Sequence, residues 1–252
     1  MRGNGLWCLL LVLLAQSCAP PPAPIRRSGW EPTADVAQIV RQLSLSTPDI
    51  QDLTAPAQIT LTHEDRPQSA SASFQYLPPQ LMRIDVRGPL FQHVLTAVLD
   101  GDTLWALADG HLSRYGARQG LVDLLNIDLG DQDPITTLLG LIGPITATDS
   151  IRVDYPRADR AVAVVSSTDG SERRLWVDLL SGFIVQEEGL DAHGRRRWRR
   201  HLTDYARLGE GDTYLPRRVR IESGPQSLEM RFGEWRLDRQ LSPSDFYKGL
   251  QR

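Results

Sequence analysis

Cysteine is almost absent from this chain: of its 252 residues only Cys8 and Cys18 are cysteines, and both fall within the first twenty. The body of the protein can therefore form neither a disulfide framework nor a thiolate metal site, and its stability has to come from packing. Lysine is scarcer still, with Lys248 the single example. Neither charge sign is in large excess, since 28 basic residues face 31 acidic ones for a net −3. That balance gives no reason to expect a nucleic-acid partner. No apolar run approaches the ~20 residues that cross a bilayer as a helix. Catalytic signatures are missing as well: there is no HExxH, G-x-S-x-G, Walker loop or G-x-G-x-x-G, and Gly209-Glu210-Gly211 lacks the remainder of the last pattern. His63-Glu64-Asp65 is the one compact acid/base group and falls where a hairpin turn is expected. His93, His111, His193 and His201 are scattered without metal-ligand spacing. No catalytic residue, metal ligand or cofactor is expected. With 41% hydrophobic residues, the chain has enough apolar content for one large domain.

The amino terminus carries the sharpest signal. Arg2 precedes the apolar run LWCLLLVLLA at residues 6–15, and small residues then lead to Cys18, which is the layout of an export signal. Leu14-Ala15-Gln16-Ser17-Cys18 resembles the lipobox of bacterial lipoproteins, whose cysteine receives a diacylglyceryl group and becomes the first residue. Ala15 stands where that pattern usually has Leu, and ordinary cleavage after Ala15-Gln16-Ser17 is the alternative. Ala19 follows, whereas an Asp there would suggest inner-membrane retention by the lipoprotein sorting pattern, so the outer membrane is expected. The run Pro20-Pro21-Pro22-Ala23-Pro24 reads as an extended spacer. The division expected is a signal peptide over 1–17, a lipidated cysteine and tether over 18–32, and one domain over 33–252.

Within that domain, Thr33 is a candidate N-cap for a helix whose Val36, Ile39, Val40 and Leu43 share a face. The period then changes to two. Ile59 and Leu61 share one face; Ala70, Ala72, Phe74 and Tyr76 alternate with Ser71, Ser73 and Gln75; Met82, Ile84 and Val86 repeat the pattern before Gly88-Pro89. Asp100-Gly101 and Asp109-Gly110 flank the strand around Trp105. An apolar interlude follows, read as helices over 121–129 and 135–142, with Asp133-Pro134 supplying the chemistry of a helix start. Strands resume after Ser150 and run to Leu237, punctuated by Asp169-Gly170, Ser181-Gly182, His193-Gly194 and Ser223-Gly224-Pro225. About eleven strands in one chain favour a large curved sheet or partly closed barrel over a two-layer sandwich.

One charge feature stands out, the run Arg195-Arg196-Arg197-Trp198-Arg199-Arg200. Strand alternation puts Arg195, Arg197 and Arg199 on the exposed face, with Arg196 and Arg200 on the side of Trp198. Two readings remain open for the exposed face: a solvated edge protected by charge, or a contact with anionic headgroups or a partner's carboxylates.

Order and spacing then carry a resemblance. Met82-Arg83-Ile84-Asp85-Val86-Arg87-Gly88-Pro89-Leu90, followed by Asp100-Gly101-Asp102-Thr103-Leu104-Trp105, resembles the first sheet of the LolA/LolB lipoprotein-carrier superfamily. Trp176-Val177-Asp178, Ser181-Gly182-Phe183-Ile184-Val185 and Tyr214-Leu215-Pro216-Arg217-Arg218 are similar to the strand pairs of its second half, and Leu241-Ser242-Pro243-Ser244-Asp245-Phe246 to its exit from the last strand. The resemblance implies a mainly β (α+β) fold, an unclosed antiparallel barrel with an N-terminal helix, a helical lid and an apolar cavity for acyl chains. The cavity wall expected is drawn from Phe74, Met82, Ile84, Leu95, Trp105, Trp176, Met230 and Phe232, with Leu121, Leu125, Leu138 and Leu139 as lid. In LolB-like receptors a Pro-Leu at the connection after Gly88 places a leucine on a membrane-delivery loop. Pro89-Leu90 matches it, and Phe91 departs from the glycine usual there. The function implied is a lipid-anchored protein on the periplasmic face of the outer membrane. It would bind lipid or lipoprotein acyl chains and exchange them with that membrane and with a periplasmic carrier protein. The alternative is an envelope assembly lipoprotein whose barrel docks proteins and carries no lipid.

Overall fold

The computed structural model describes residues 25–32, 35–45, 50–89 and 92–250. Helix α1 (Val36–Leu45) is capped one residue before its start. The Asp35 carboxylate accepts the amide hydrogens of Ala37 at 2.9 Å and Gln38 at 3.3 Å, so the cap falls two positions beyond the expected Thr33, which lies outside the described residues. Val36 and Val40 are fully buried. A single apolar stripe of this kind fixes which face of a helix meets the sheet.

A meander follows: β1 (Leu53–His63), β2 (Arg66–Leu77), β3 (Leu81–Arg87), β4 (His93–Asp100), β5 (Thr103–Ala108) and β6 (His111–Gly116). Helix α2 (Ala117–Leu125) and the short α3 (Pro134–Leu138) interrupt it. The chain then returns to β7 (Ser150–Arg157), β8 (Arg160–Ser166), β9 (Glu172–Asp178) and β10 (Phe183–Leu190). The last strands are β11 (Arg196–Leu208), β12 (Thr213–Ser223), β13 (Gln226–Phe232) and β14 (Arg236–Leu237), and α4 (Pro243–Phe246) closes the order. All fourteen strands among the described residues belong to one sheet, three more than the sequence pattern suggests, with the path β6-β5-β4-β3-β2-β1-β13-β12-β11-β10-β9-β8-β7 and β14 beside the start of β1. β6 escapes a pattern reading because its residues, His-Leu-Ser-Arg-Tyr-Gly, show little apolar alternation.

Pairings are antiparallel throughout, and β1 joins β13 in the register Ile59↔Met230, so this pair ties the two halves together. The edge strands β6 and β7 do not pair with each other, which leaves the barrel unclosed. Its interior follows from alternation: Ala72, Phe74 and Tyr76 are buried while Ser71 and Ser73 face water. The opposite face of β3–β5 is covered by the C-terminal residues, where Phe246 and Leu250 pack with Val98.

The helical interlude differs from expectation. α2 begins at Ala117 and stops at Asn126, which adopts φ 54° and donates its amide hydrogen to Val122 at 2.8 Å. Ile127 and Leu129 are buried all the same, but in a connection. Asp133 and Pro134 do start α3, the carboxylate accepting from Thr136 N at 2.6 Å. The helix ends early because Gly140 takes φ +71°. Trp30, expected in the tether, belongs to the folded body. Its Nε1 donates to the carbonyl of Leu179 at 2.8 Å, and its ring covers Gly182, where a Cβ would come within 2.5 Å of it. Among the described residues no helix is long and apolar enough to cross a membrane.

Candidate functional site: an apolar cavity under two short helices

The sheet and the helical interlude enclose a cavity of about 500 Å³, within the ~300–1,000 Å³ typical of small-ligand pockets. Its wall is built by strand parity. Ile59 and Leu61 come from β1, Phe74 from β2, Ile84 and Val86 from β3, and Leu228 and Met230 from β13. Ala70 and Ala97 line it with minimal side chains, and Leu121, Leu124 and Leu125 of α2 with Leu138 of α3 form its cover. Among the described residues, the only polar side chains on the lining are Gln68 and Ser69, beside the β1–β2 turn. A ligand charge buried here would find no counter-ion, and an uncompensated charge in an apolar site is costly. An alkyl chain meets no such cost.

Of the expected wall residues, Phe74, Ile84, Leu95 and Met230 line the cavity, and so do Leu121, Leu125 and Leu138 of the expected lid. The others do not. Met82 and Leu139 are fully packed into the core. Phe232 is spent on its neighbours, edge-on to Phe74 at 5.0 Å between ring centroids and tilted against Trp235 at 4.3 Å. Trp105 alternates with the inward Leu104 and Ala106, so it faces out under the Arg114 guanidinium, 5.2 Å from its centroid. Trp176 likewise stands opposite the buried Leu175 and Val177. Residue size misleads at these positions; face parity with Phe74 and Ile84 selects Ile59, Ala97, Leu99 and Leu104. Cys18, Leu90 and Phe91 lie outside the described residues.

The two covering helices are held differently. Glu187, fully buried, faces Arg200 across β10 and β11. Arg200 donates from Nε to Glu187 Oε2 at 2.5 Å, from Nη1 to the carbonyl of Thr137 at 3.2 Å and from Nη2 to that of Leu141 at 2.5 Å. Arg173 binds the other carboxylate oxygen at 2.7 Å and donates to the carbonyl of Pro144 at 3.0 Å. Burial alone would raise the pKa of Glu187, but Arg200 and Arg173 together hold it below the usual value. α3 is thereby tied to the barrel by buried, charge-assisted hydrogen bonds. α2 meets the sheet through apolar contact, with Gly120 pressed against Leu104, and through one backbone hydrogen bond at its start, from Ala117 N to the carbonyl of Asp102 at 2.7 Å; among the described residues its one ion pair is the exposed one between Arg118 and Asp131 at 3.2 Å.

The arginine run resolves into pairs. Arg195 binds Asp191 at 2.8 Å, Arg197 binds Asp128 at 2.6 Å and Arg199 binds Glu188 at 2.5 Å. The expected exposed cationic face is thus matched by acids from adjacent turns and strands, which leaves it little free charge for an outside anion. His63-Glu64-Asp65 is the β1–β2 turn, with Glu64 and Asp65 at positive φ. No group of three metal-ligating side chains occurs among the described residues.

No protein-family model matches the sequence, and no curated protein matches it. Solved structures do. A domain from Vibrio parahaemolyticus described as that of an outer membrane lipoprotein-sorting protein superposes with a TM-score of 0.63 at 13% identity, covering 85% of this chain and 96% of that one. A LolA superfamily protein from Nitrosomonas europaea gives 0.58 at 14% identity, over 84% and 98%. A DUF1329 family protein from Desulfovibrio piger gives 0.62 at 11% identity, over 88% and 100%. The fold is LolA-like. At these identities the likeness extends to architecture, and what this LolA-like barrel binds has to be argued from its own cavity.

Proposed function

We propose that this protein is a lipid-anchored envelope protein that takes acyl chains of a lipid or lipoprotein into the cavity beneath α2 and α3 and passes them on at the outer membrane. The lining carries the reading: a hollow of about 500 Å³ with apolar walls and, among the described residues, polar side chains only at Gln68 and Ser69. Transfer of an alkyl chain from water into such a site gains ~0.8 kcal/mol per buried CH₂. The chain leaves again when a bilayer or a carrier offers equal burial, so no chemical step is needed. Anchoring through Cys18, delivery through Leu90 and Phe91, and exchange with a periplasmic carrier complete the proposal. The experiment is lipid extraction and mass analysis of the purified protein, repeated with Ala97→Trp, which fills the hollow. Co-purifying acyl lipid that disappears in the variant supports the reading. A lipid-free wild type that displaces no fluorescent acyl probe overturns it in favour of a protein-docking barrel.

A further inference from the structure

On the outer face of the sheet, behind the cavity rim, a second and polar pocket of about 350 Å³ lies between β3, β4 and the C-terminal residues. Its charges are organised from the inside outward. Arg83 grips Asp85 with two hydrogen bonds, Nε at 2.7 Å and Nη2 at 2.8 Å, and its Nη1 donates to the carbonyls of Phe246 and Lys248 at 2.9 and 2.6 Å. Thr96 spends its only hydroxyl hydrogen on Asp85 Oδ1 at 2.7 Å. The 2.8 Å contact between Thr96 Oγ1 and His93 Nε2 must then have the imidazole as donor. Nδ1 of His93 is left without a partner among the described residues.

Lys248 is matched by Asp245 at 2.5 Å, and Arg83 by Asp85. Arg87 also lines this pocket, and its guanidinium makes no hydrogen bond or ion pair with any described residue. The pocket therefore has one guanidinium in excess beside an imidazole whose orientation is fixed by Thr96. A β-bulge produces that juxtaposition: the β3–β4 register slips between Val86 and Arg87, so Arg87 pairs with His93 while Val94 and Leu95 both reach the cavity. Bulges re-aim side chains in this way next to functional sites. The same short stretch of wall, with Gly88 and Val94 inside and Arg87 and His93 outside, borders both pockets.

We infer that the polar pocket binds the phosphate of a lipid whose acyl chain occupies the cavity, the molecule bending over the rim at Gly88. The inference rests on the proposed function and narrows it, because a glyceride or an acylated cysteine has no phosphate to offer. Guanidinium is the side chain suited to such a group.

The test uses the full-length chain carrying Cys18→Ser, so that it brings no acyl group of its own, and displacement of a fluorescent acyl probe. Phosphatidylglycerol should bind roughly tenfold more tightly than diacylglycerol with the same chains, the worth of one charge-assisted contact. Arg87→Ala should erase that preference and leave diacylglycerol affinity unchanged, and inorganic phosphate should shift the His93 ring signals in the NMR spectrum. Equal binding of the two lipids, unaffected by Arg87→Ala, overturns the inference while leaving the cavity reading intact. Binding of neither lipid means that the cavity reading itself has failed. A His93 response to inorganic phosphate with no lipid preference assigns the pocket to free phosphate and also overturns the inference.

Discussion

Glu187 and Arg200 stand directly opposite each other on β10 and β11, both shut off from water, and the arginine's remaining donors reach across to the carbonyls of Thr137 and Leu141. An ion pair in that position is sensitive above all to loss of Glu187, which leaves Arg200 a buried charge without a counter-ion, whereas loss of Arg200 leaves Glu187 facing Arg173 alone. Glu187→Gln should cost about 3–5 kcal/mol in denaturant unfolding, and Arg200→Met less, because Arg173 still faces the carboxylate. The double variant Glu187→Gln/Arg200→Met should fall well short of the sum of these two singles. Additive losses would show that the two residues act separately.

The same pair sets an acid limb. Glu187 is held below its usual pKa by Arg200 and Arg173 against the opposing effect of burial. Stability from such a group is present above the unfolded-state pKa, about 4, and is lost as pH falls through the lower folded-state value. Wild-type stability should therefore decline as pH is lowered below about 4, and Glu187→Gln, weaker at neutral pH, should show a shallower decline. Urea midpoints measured across that range check the sign.

Gly189 pairs with Trp198 two rungs further along the same two strands, and the indole lies over it. A Cβ there would meet Nε1 of the indole and stand 2.5 Å from Cε2. Gly189→Ala should displace the ring, cost about 1–3 kcal/mol by overpacking, and change tryptophan emission. An unchanged spectrum with full stability would show that the strand pair yields at no cost.

Much of the architecture was legible because period-two alternation survives wherever one face is buried, as in Ser71 to Tyr76, and because Asp100-Gly101 and Asp133-Pro134 name a turn and a helix start by their own chemistry. The cavity was half legible. Phe74, Ile84, Leu95 and Met230 advertise themselves by bulk, but a hollow is made where side chains are small, and Ala70 and Ala97 carry no signal of that in sequence. Trp105 and Trp176 mislead in the same way, because their bulk suggests the interior while strand parity against Leu104 and Leu175 turns them outward. The partners of the arginine run could not be read at all, since Asp128 lies 69 residues from Arg197 and only the fold brings them together.

The unequal fastening of the cover predicts unequal dynamics. α3 is bound through Arg200 to the core, whereas α2 rests on apolar contact and exposes Leu124. Elements that gate a site come from the less stable parts of a fold. Amide exchange in α2 should be faster than in α3 and in β10–β11, and acyl lipid should slow α2 selectively. Uniform exchange with and without lipid would remove α2 as the moving part.

For the anchor, Cys18→Ser should shift the protein from membrane to soluble fractions, and the wild-type mass should exceed that of the unmodified mature chain by its acyl groups. Equal masses would leave ordinary cleavage after Ser17 as the processing.

The connection between β3 and β4 offers the last test. Gly88 N donates to the carbonyl of Gln92 at 3.0 Å, closing a turn, while Pro89 is exposed and, with Val94, borders the cavity. Leu90 and Phe91, two large apolar residues, stand between Pro89 and Gln92 in the sequence. If they serve delivery, Leu90→Glu should leave the melting temperature and acyl-probe affinity unchanged. Transfer of a fluorescent lipid to vesicles should slow, since a carboxylate at the tip resists entry into hydrocarbon. A large fall in melting temperature would instead make Leu90 a core residue of the following strand. Unchanged transfer with unchanged stability would remove it from the delivery step.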